Sequence, residues 1–110
     1  MISQGAERDL MGLYRRRRAQ RGLDGPDGAE ALLTGLVAAA GSLADFALRG
    51  STPPELEALG IHLYRQIPAR IGSAAFRLVY LPEAERVTIL IVADSRRDFR
   101  TLLEERLLRR

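Results

Sequence analysis

The stretch Phe76–Arg97, FRLVYLPEAERVTILIVADSRR, contains two apolar runs joined by a short polar turn and ends in paired arginines. Phe76 to Leu81 and Val87 to Ala93 are rich in β-branched and aromatic residues that fit a pleated, buried surface, and Pro82-Glu83-Ala84-Glu85 has turn character between them. The pattern predicts an antiparallel hairpin. Its second run is apolar at nearly every position, so both faces need cover, which predicts a central place in a sheet with a helical layer on one side.

Upstream of the hairpin the spacing is helical. Met1-Ile2-Ser3-Gln4 offers at most a stub of strand; from residue 6 to 21, Ala6, Leu10, Leu13 and Tyr14 share one stripe, with Glu7 and Asp9 in the first turn where the helix dipole favours acids. The turn Leu23 to Gly28 follows. Asp27 and Glu30 then have the spacing of an acidic capping box, and apolar residues from Ala29 through Leu32, Leu36, Ala40 and Leu43 to Ala47 predict a second helix over residues 28–48, stopped by Gly50. Two short-looped helices in succession predict an antiparallel helical hairpin laid on the sheet.

After Pro53-Pro54 and a turn of helix at Glu55 to Leu59, Ile61 to Ile67 alternates as a half-buried strand, with Ile61, Leu63 and Ile67 on one face and His62, Tyr64 and Gln66 on the other. Pro68 is expected to limit its pairing, and Ala69 to Ser73 to form a loose connection into the hairpin. Beyond the hairpin, Phe99, Leu102, Leu103 and Leu107 predict a closing helix. The expected fold is α+β: an N-terminal helical hairpin on a three- to four-stranded antiparallel sheet, with a C-terminal helix, in one domain spanning residues 1–110.

Composition narrows the chemistry. No window approaches the roughly 18 uncharged apolar residues of a spanning helix, and the N-terminus lacks the order of a signal peptide, so a cytoplasmic chain with no membrane role is expected. There are 0 cysteines and 1 histidine, His62, which leaves no thiolate site and no multi-histidine metal site; neither cofactor nor metal is expected. All 17 basic residues are arginine, a bias that a GC-rich genome also produces. Arginine binds phosphate or carboxylate through two parallel hydrogen bonds but stays protonated, so it stabilises charge without serving as a base. Proton transfer would fall to a carboxylate, a tyrosine or His62, and a lone histidine beside Gly60 reads as an ordinary strand residue.

The order of elements, together with several short pieces, resembles the RelE/ParE superfamily of type II toxin–antitoxin toxins, in its ParE-like plasmid-stabilisation branch. The pieces are Gly5-Ala6-Glu7-Arg8-Asp9-Leu10, Leu59-Gly60-Ile61 with Tyr64-Arg65-Gln66, the aromatic-Arg-x-x-Tyr strand Phe76 to Tyr80, and Ala93 to Asp98 followed by Leu102-Leu103 and Arg106-Leu107-Leu108. Family members begin with a full strand where only Met1-Ile2-Ser3 stands here. An unpaired sheet edge is therefore expected, and with it dimerisation or dependence on a partner.

The resemblance implies a toxin neutralised by a cognate antitoxin from an adjacent gene, as a homodimer or as a heterotetramer with that antitoxin. It also implies one of two mechanisms. ParE-like members inhibit DNA gyrase, which requires only binding; RelE-like members cleave mRNA on the ribosome with lysines, arginines and a late tyrosine. Arg77 and Arg97 match basic positions of the nuclease pattern, with Arg70 as the nearby third, but the lysines have no counterpart and the late tyrosine is replaced by Phe99 or Leu103. The first reading is accordingly the gyrase inhibitor, with Arg77, Arg96, Arg97, Phe99 and Arg100 toward the target and no catalytic residue. Arg15, Arg16, Arg18, Leu36 and Ala40 are the expected antitoxin contacts; a solvated helix end is the plain alternative for the arginines. An inactive interaction module on the same fold is the third reading.

Overall fold

A computed structural model describes residues 1–108. The first helix, α1 (Gln4–Arg21), starts two residues earlier than its apolar stripe suggests because Ser3 caps it, its hydroxyl accepting from the Ala6 N–H at 3.1 Å. The second, α2 (Ala29–Gly41), has Gly28 at its N-cap with no side-chain bond, so the expected Asp27–Glu30 box does not form. A Cβ at Gly28 would strike the carbonyls of Leu23 and Asp24, and Glu30 instead accepts from the Tyr14 hydroxyl at 2.9 Å, joining the two helices. The helix also ends well short of residue 48, passing into a single 3-10 turn at Ser42–Ala44 that buries Leu43.

A short helix, α3 (Pro54–Glu57), precedes the three strands β1 (Arg65–Ile71), β2 (Ala74–Pro82) and β3 (Val87–Asp94), and α4 (Phe99–Leu103) follows them, continuing into a π-turn at Glu104–Leu108. All neighbouring strands are antiparallel in the order β1-β2-β3, so the predicted hairpin is present. The predicted centre is not: β2 is central and β3 lies at an edge. What the apolar run of β3 reflects is cover on both faces. Phe76, Leu78, Tyr80, Ile89 and Val92 pack under α1 and α2, while Val79, Ile91 and Ala93 pack against Leu56, Phe99, Leu102 and Leu103 on the other side. A bulge makes this possible. Tyr80 pairs with Ile89 and Val79 with Ile91, which leaves Leu90 as an extra residue and lets Ile89 and Val92 face the same core.

β1 departs most from expectation. It begins at Arg65, not Ile61, and Leu63 is exposed. Pro68 sits inside the strand because β1 is the other sheet edge. Gln66 directs its N–H and C=O outward to Ser51, and strand alternation turns Pro68 the same way, so the missing N–H breaks no ladder bond. The expected loose link is absent too: the strand runs to Ile71, and Gly72 at φ 62° and Ser73 form a two-residue turn into Ala74.

Tyr80 anchors the loop that follows α2. Fully buried, it donates its hydroxyl to the Ala47 carbonyl at 2.7 Å and accepts from the Gly50 N–H at 3.0 Å. Gly50 is required there, since a Cβ would lie 2.6 Å from the Tyr80 oxygen and against the Gln66 carbonyl.

Candidate functional site

The β2 arginine is held by its own fold. Arg77 projects to the α3–α4 side, where its Nη1 and Nη2 donate to the two oxygens of Glu55 at 3.0 and 2.9 Å and its Nε donates to Gln66 Oε1 at 2.7 Å. A further bond runs from Nη2 to the same Gln66 oxygen. The Phe99 ring lies against the guanidinium, 3.7 Å from its carbon to the ring centroid. Hydrogen bonding from Arg77 holds the Glu55 carboxyl below the usual glutamate range, outweighing the opposing effect of burial. With a side chain only 16% exposed, Arg77 offers little to a partner, and Phe99 is only 2% exposed. Both were expected on the target face; Phe99 belongs to the core, and Arg77 joins β2 to α3 and α4.

The arginines that do reach solvent stand at the end of β3. Arg96 is 89% exposed and pairs with Asp94 at 3.0 Å, which lowers the Asp94 carboxyl below its ordinary value. Arg97 is exposed, its backbone N–H donating to the Asp94 carbonyl. Arg100 is also exposed and lies 3.5 Å from Glu104 one turn on. Arg70, the third residue of the nuclease pattern, faces solvent on β1 and is not brought to Arg77 by any hydrogen bond among the described residues. Of the expected antitoxin contacts, Arg15, Arg16 and Arg18 are exposed on α1, whereas Leu36 is 1% exposed within the core and is unavailable to any partner. Ala40 lines an apolar groove of about 550 Å³ between the end of α2 and the β2–β3 turn, beside Met1, Val37 and Val87.

The expected open edge is closed. Met1 to Ser3 run alongside β3: the Met1 carbonyl accepts from Ile89 N–H at 2.8 Å, Ser3 N–H donates back to the Ile89 carbonyl at 3.0 Å, and the terminal amine donates to Val87 at 2.7 Å. Where this stub stops, side chains take over. Asp9 accepts from the Val92 N–H at 3.0 Å, and Arg106 donates to the Leu90 carbonyl at 2.8 Å while pairing with both Asp9 oxygens at 2.9 and 3.1 Å. Sequence reading placed Asp9 only in a helix first turn and gave Arg106 no role. Glu55 and Gln66 were equally silent, because their partner is 22 and 11 residues away.

A paired helical layer, a three-stranded antiparallel sheet and an arginine-bearing C-terminal end define a small α+β protein of the RelE/ParE toxin class. The chain belongs to the ParE toxin family: the model described as "ParE toxin of type II toxin-antitoxin system, parDE" matches residues 1–99. No curated protein matches the chain. Family membership carries a toxin role and implies a cognate antitoxin. Among the described residues no helix is long and apolar enough to cross a membrane.

Proposed function

We propose that this toxin inhibits DNA gyrase by binding, with Arg96, Arg97 and Arg100 at the end of the sheet meeting the target. The observation that carries the reading is the enclosure of Arg77. Its donors are used by Glu55 and Gln66 and its face by Phe99, so the arginine that a ribosome-dependent nuclease would turn toward the scissile phosphate is already satisfied. The carboxylate beside it is a weak base for the same reason, since Arg77 lowers its proton affinity. Arginine itself cannot take the 2′-hydroxyl proton.

For the antitoxin the proposed contacts are Arg15, Arg16 and Arg18, exposed on α1, and the groove lined by Ala40. A partner with acidic residues beside an apolar helix or strand fits both.

Purified protein is expected to block gyrase supercoiling or accumulate cleaved-DNA complexes, with Arg96→Ala and Arg97→Ala weakening the effect, while mRNA on translating ribosomes stays intact. Codon-phased mRNA cuts in a translation extract, abolished by Arg77→Ala or Arg97→Ala, would reverse the choice.

A further inference from the structure

The C-terminal end of α1, the β1–β2 turn and the end of β3 enclose a polar recess of about 360 Å³ on the side of the sheet away from Arg77. Arg17, Gln20 and Arg21 line it from the helix, Ser73 from the turn, and Ser95 and Arg96 from the strand end. Three elements far apart in sequence thus bring three guanidinium groups, an amide and two hydroxyls to one hollow. Among the described residues Arg17 and Arg21 have no carboxylate partner; Arg17 donates to the Asp27 carbonyl at 3.2 Å. Two carboxylates also line the recess. Asp94 is matched by Arg96 at 3.0 Å, and Asp27 lies under the Gly72 turn, where a Cβ would strike it. Three arginines thus line the recess against two acids, with Arg16 near enough to Asp94 to help lower its carboxyl.

We infer that this recess binds a phosphate group of a nucleic-acid backbone. One guanidinium fork satisfies a carboxylate, whereas a phosphate presents several acceptor oxygens in different directions and suits donors converging from three sides. Exposed Arg16 and Arg18 flank Arg17 in sequence on α1, and exposed Arg97 follows Arg96 beyond β3, so further cations for neighbouring phosphates stand on the same two elements. Binding here requires no gyrase. It is a second contact made by the toxin itself, and it stands whether gyrase or another assembly is the target.

The test is fluorescence anisotropy of the full chain with a short labelled DNA duplex, without gyrase, over a salt series. Arg21→Ala and Arg96→Ala are the informative variants because neither side chain is buried; Arg17→Ala, which also loses a bond to the Asp27 loop, is read only alongside circular dichroism. Each of the first two should lower the slope of log affinity against log salt by about 0.9, so that raising salt from about 50 to about 200 mM weakens binding about 3.5-fold less than in the parent. Arg86→Ala, at the β2–β3 turn beside Glu83, should leave the slope unchanged. The inference is overturned if Arg86→Ala changes the slope as much as the recess variants, if polyglutamate displaces the duplex as well as unlabelled DNA does, or if inorganic phosphate alone does so at low concentration. The gyrase assay is read separately, so loss of either result leaves the other interpretable.

Discussion

Replacing Tyr80 with phenylalanine keeps the ring and deletes one oxygen, which isolates what the hydroxyl holds. That oxygen satisfies two backbone groups at once, the buried Gly50 N–H at 3.0 Å and the half-buried Ala47 carbonyl at 2.7 Å. Leaving a buried donor unmet costs about 1–3 kcal/mol, whereas the carbonyl, partly open to water, loses about 0.5–1 kcal/mol. The sum is about 1.5–4 kcal/mol. With a urea slope of about 1.5 kcal/mol/M for a chain of this size, the midpoint should fall by about 1–2.7 M at an unchanged slope. Hydrogen exchange should localise the loss, with Gly50 and its neighbours losing protection first while amides of β2 and β3 keep theirs. A midpoint shift corresponding to less than about 0.5 kcal/mol would refute the reasoning, because it would mean that water replaces the hydroxyl within the core.

Gly50→Ala should destabilise by about 2–3 kcal/mol in the same urea experiment, since the new methyl would meet the Gln66 carbonyl and the Tyr80 oxygen. Glu55→Gln should lower stability at neutral pH, and the difference from the parent should shrink in acid. The Glu55 carboxyl is lowered in the folded state, so its contribution is complete above the ordinary value of 4.5 and fades as pH falls below that through the folded value; urea midpoints across an acid series check this. Asp9→Ala strands the buried Val92 N–H and should cost about 2–3 kcal/mol, read as a lower thermal midpoint and as faster exchange of the Val92 amide.

The β2–β3 hairpin was legible because its signals are local: alternation at Phe76, Leu78 and Tyr80, and a β-branched run from Val87. The same run misled about position, because burial on two faces produces one apolar pattern whether the strand is central or an edge closed by other groups. The bulge at Leu90 leaves no mark in composition. Pro68 looked like the end of a strand, yet an edge strand with that N–H turned outward tolerates it. The second helix was overrun because the small residues after Gly41 keep helix propensity while Leu43 is drawn down into the core by the 3-10 turn. At the site, the exposed arginines at the end of β3 were visible as a charge pair following a strand. The enclosure of Arg77 was not, since it depends on Glu55, which reaches the β2 arginine only through the Pro53-Pro54 turn and the start of β1.

The Asp9–Arg106 pair joins residues separated by 97 positions, and its partners on β3 are backbone groups that no other strand serves. Contacts of such sequence separation close a long loop, whereas the β2–β3 hairpin is local, so the hairpin is expected to form first with Leu90 and Val92 on an open margin. Completion of that margin is therefore expected late in folding. Interactions formed after the rate-limiting step govern how slowly a protein comes apart, with little influence on how fast it assembles. Arg106→Ala should therefore shorten the lifetime of the folded toxin in unfolding kinetics while leaving the refolding rate nearly as it was.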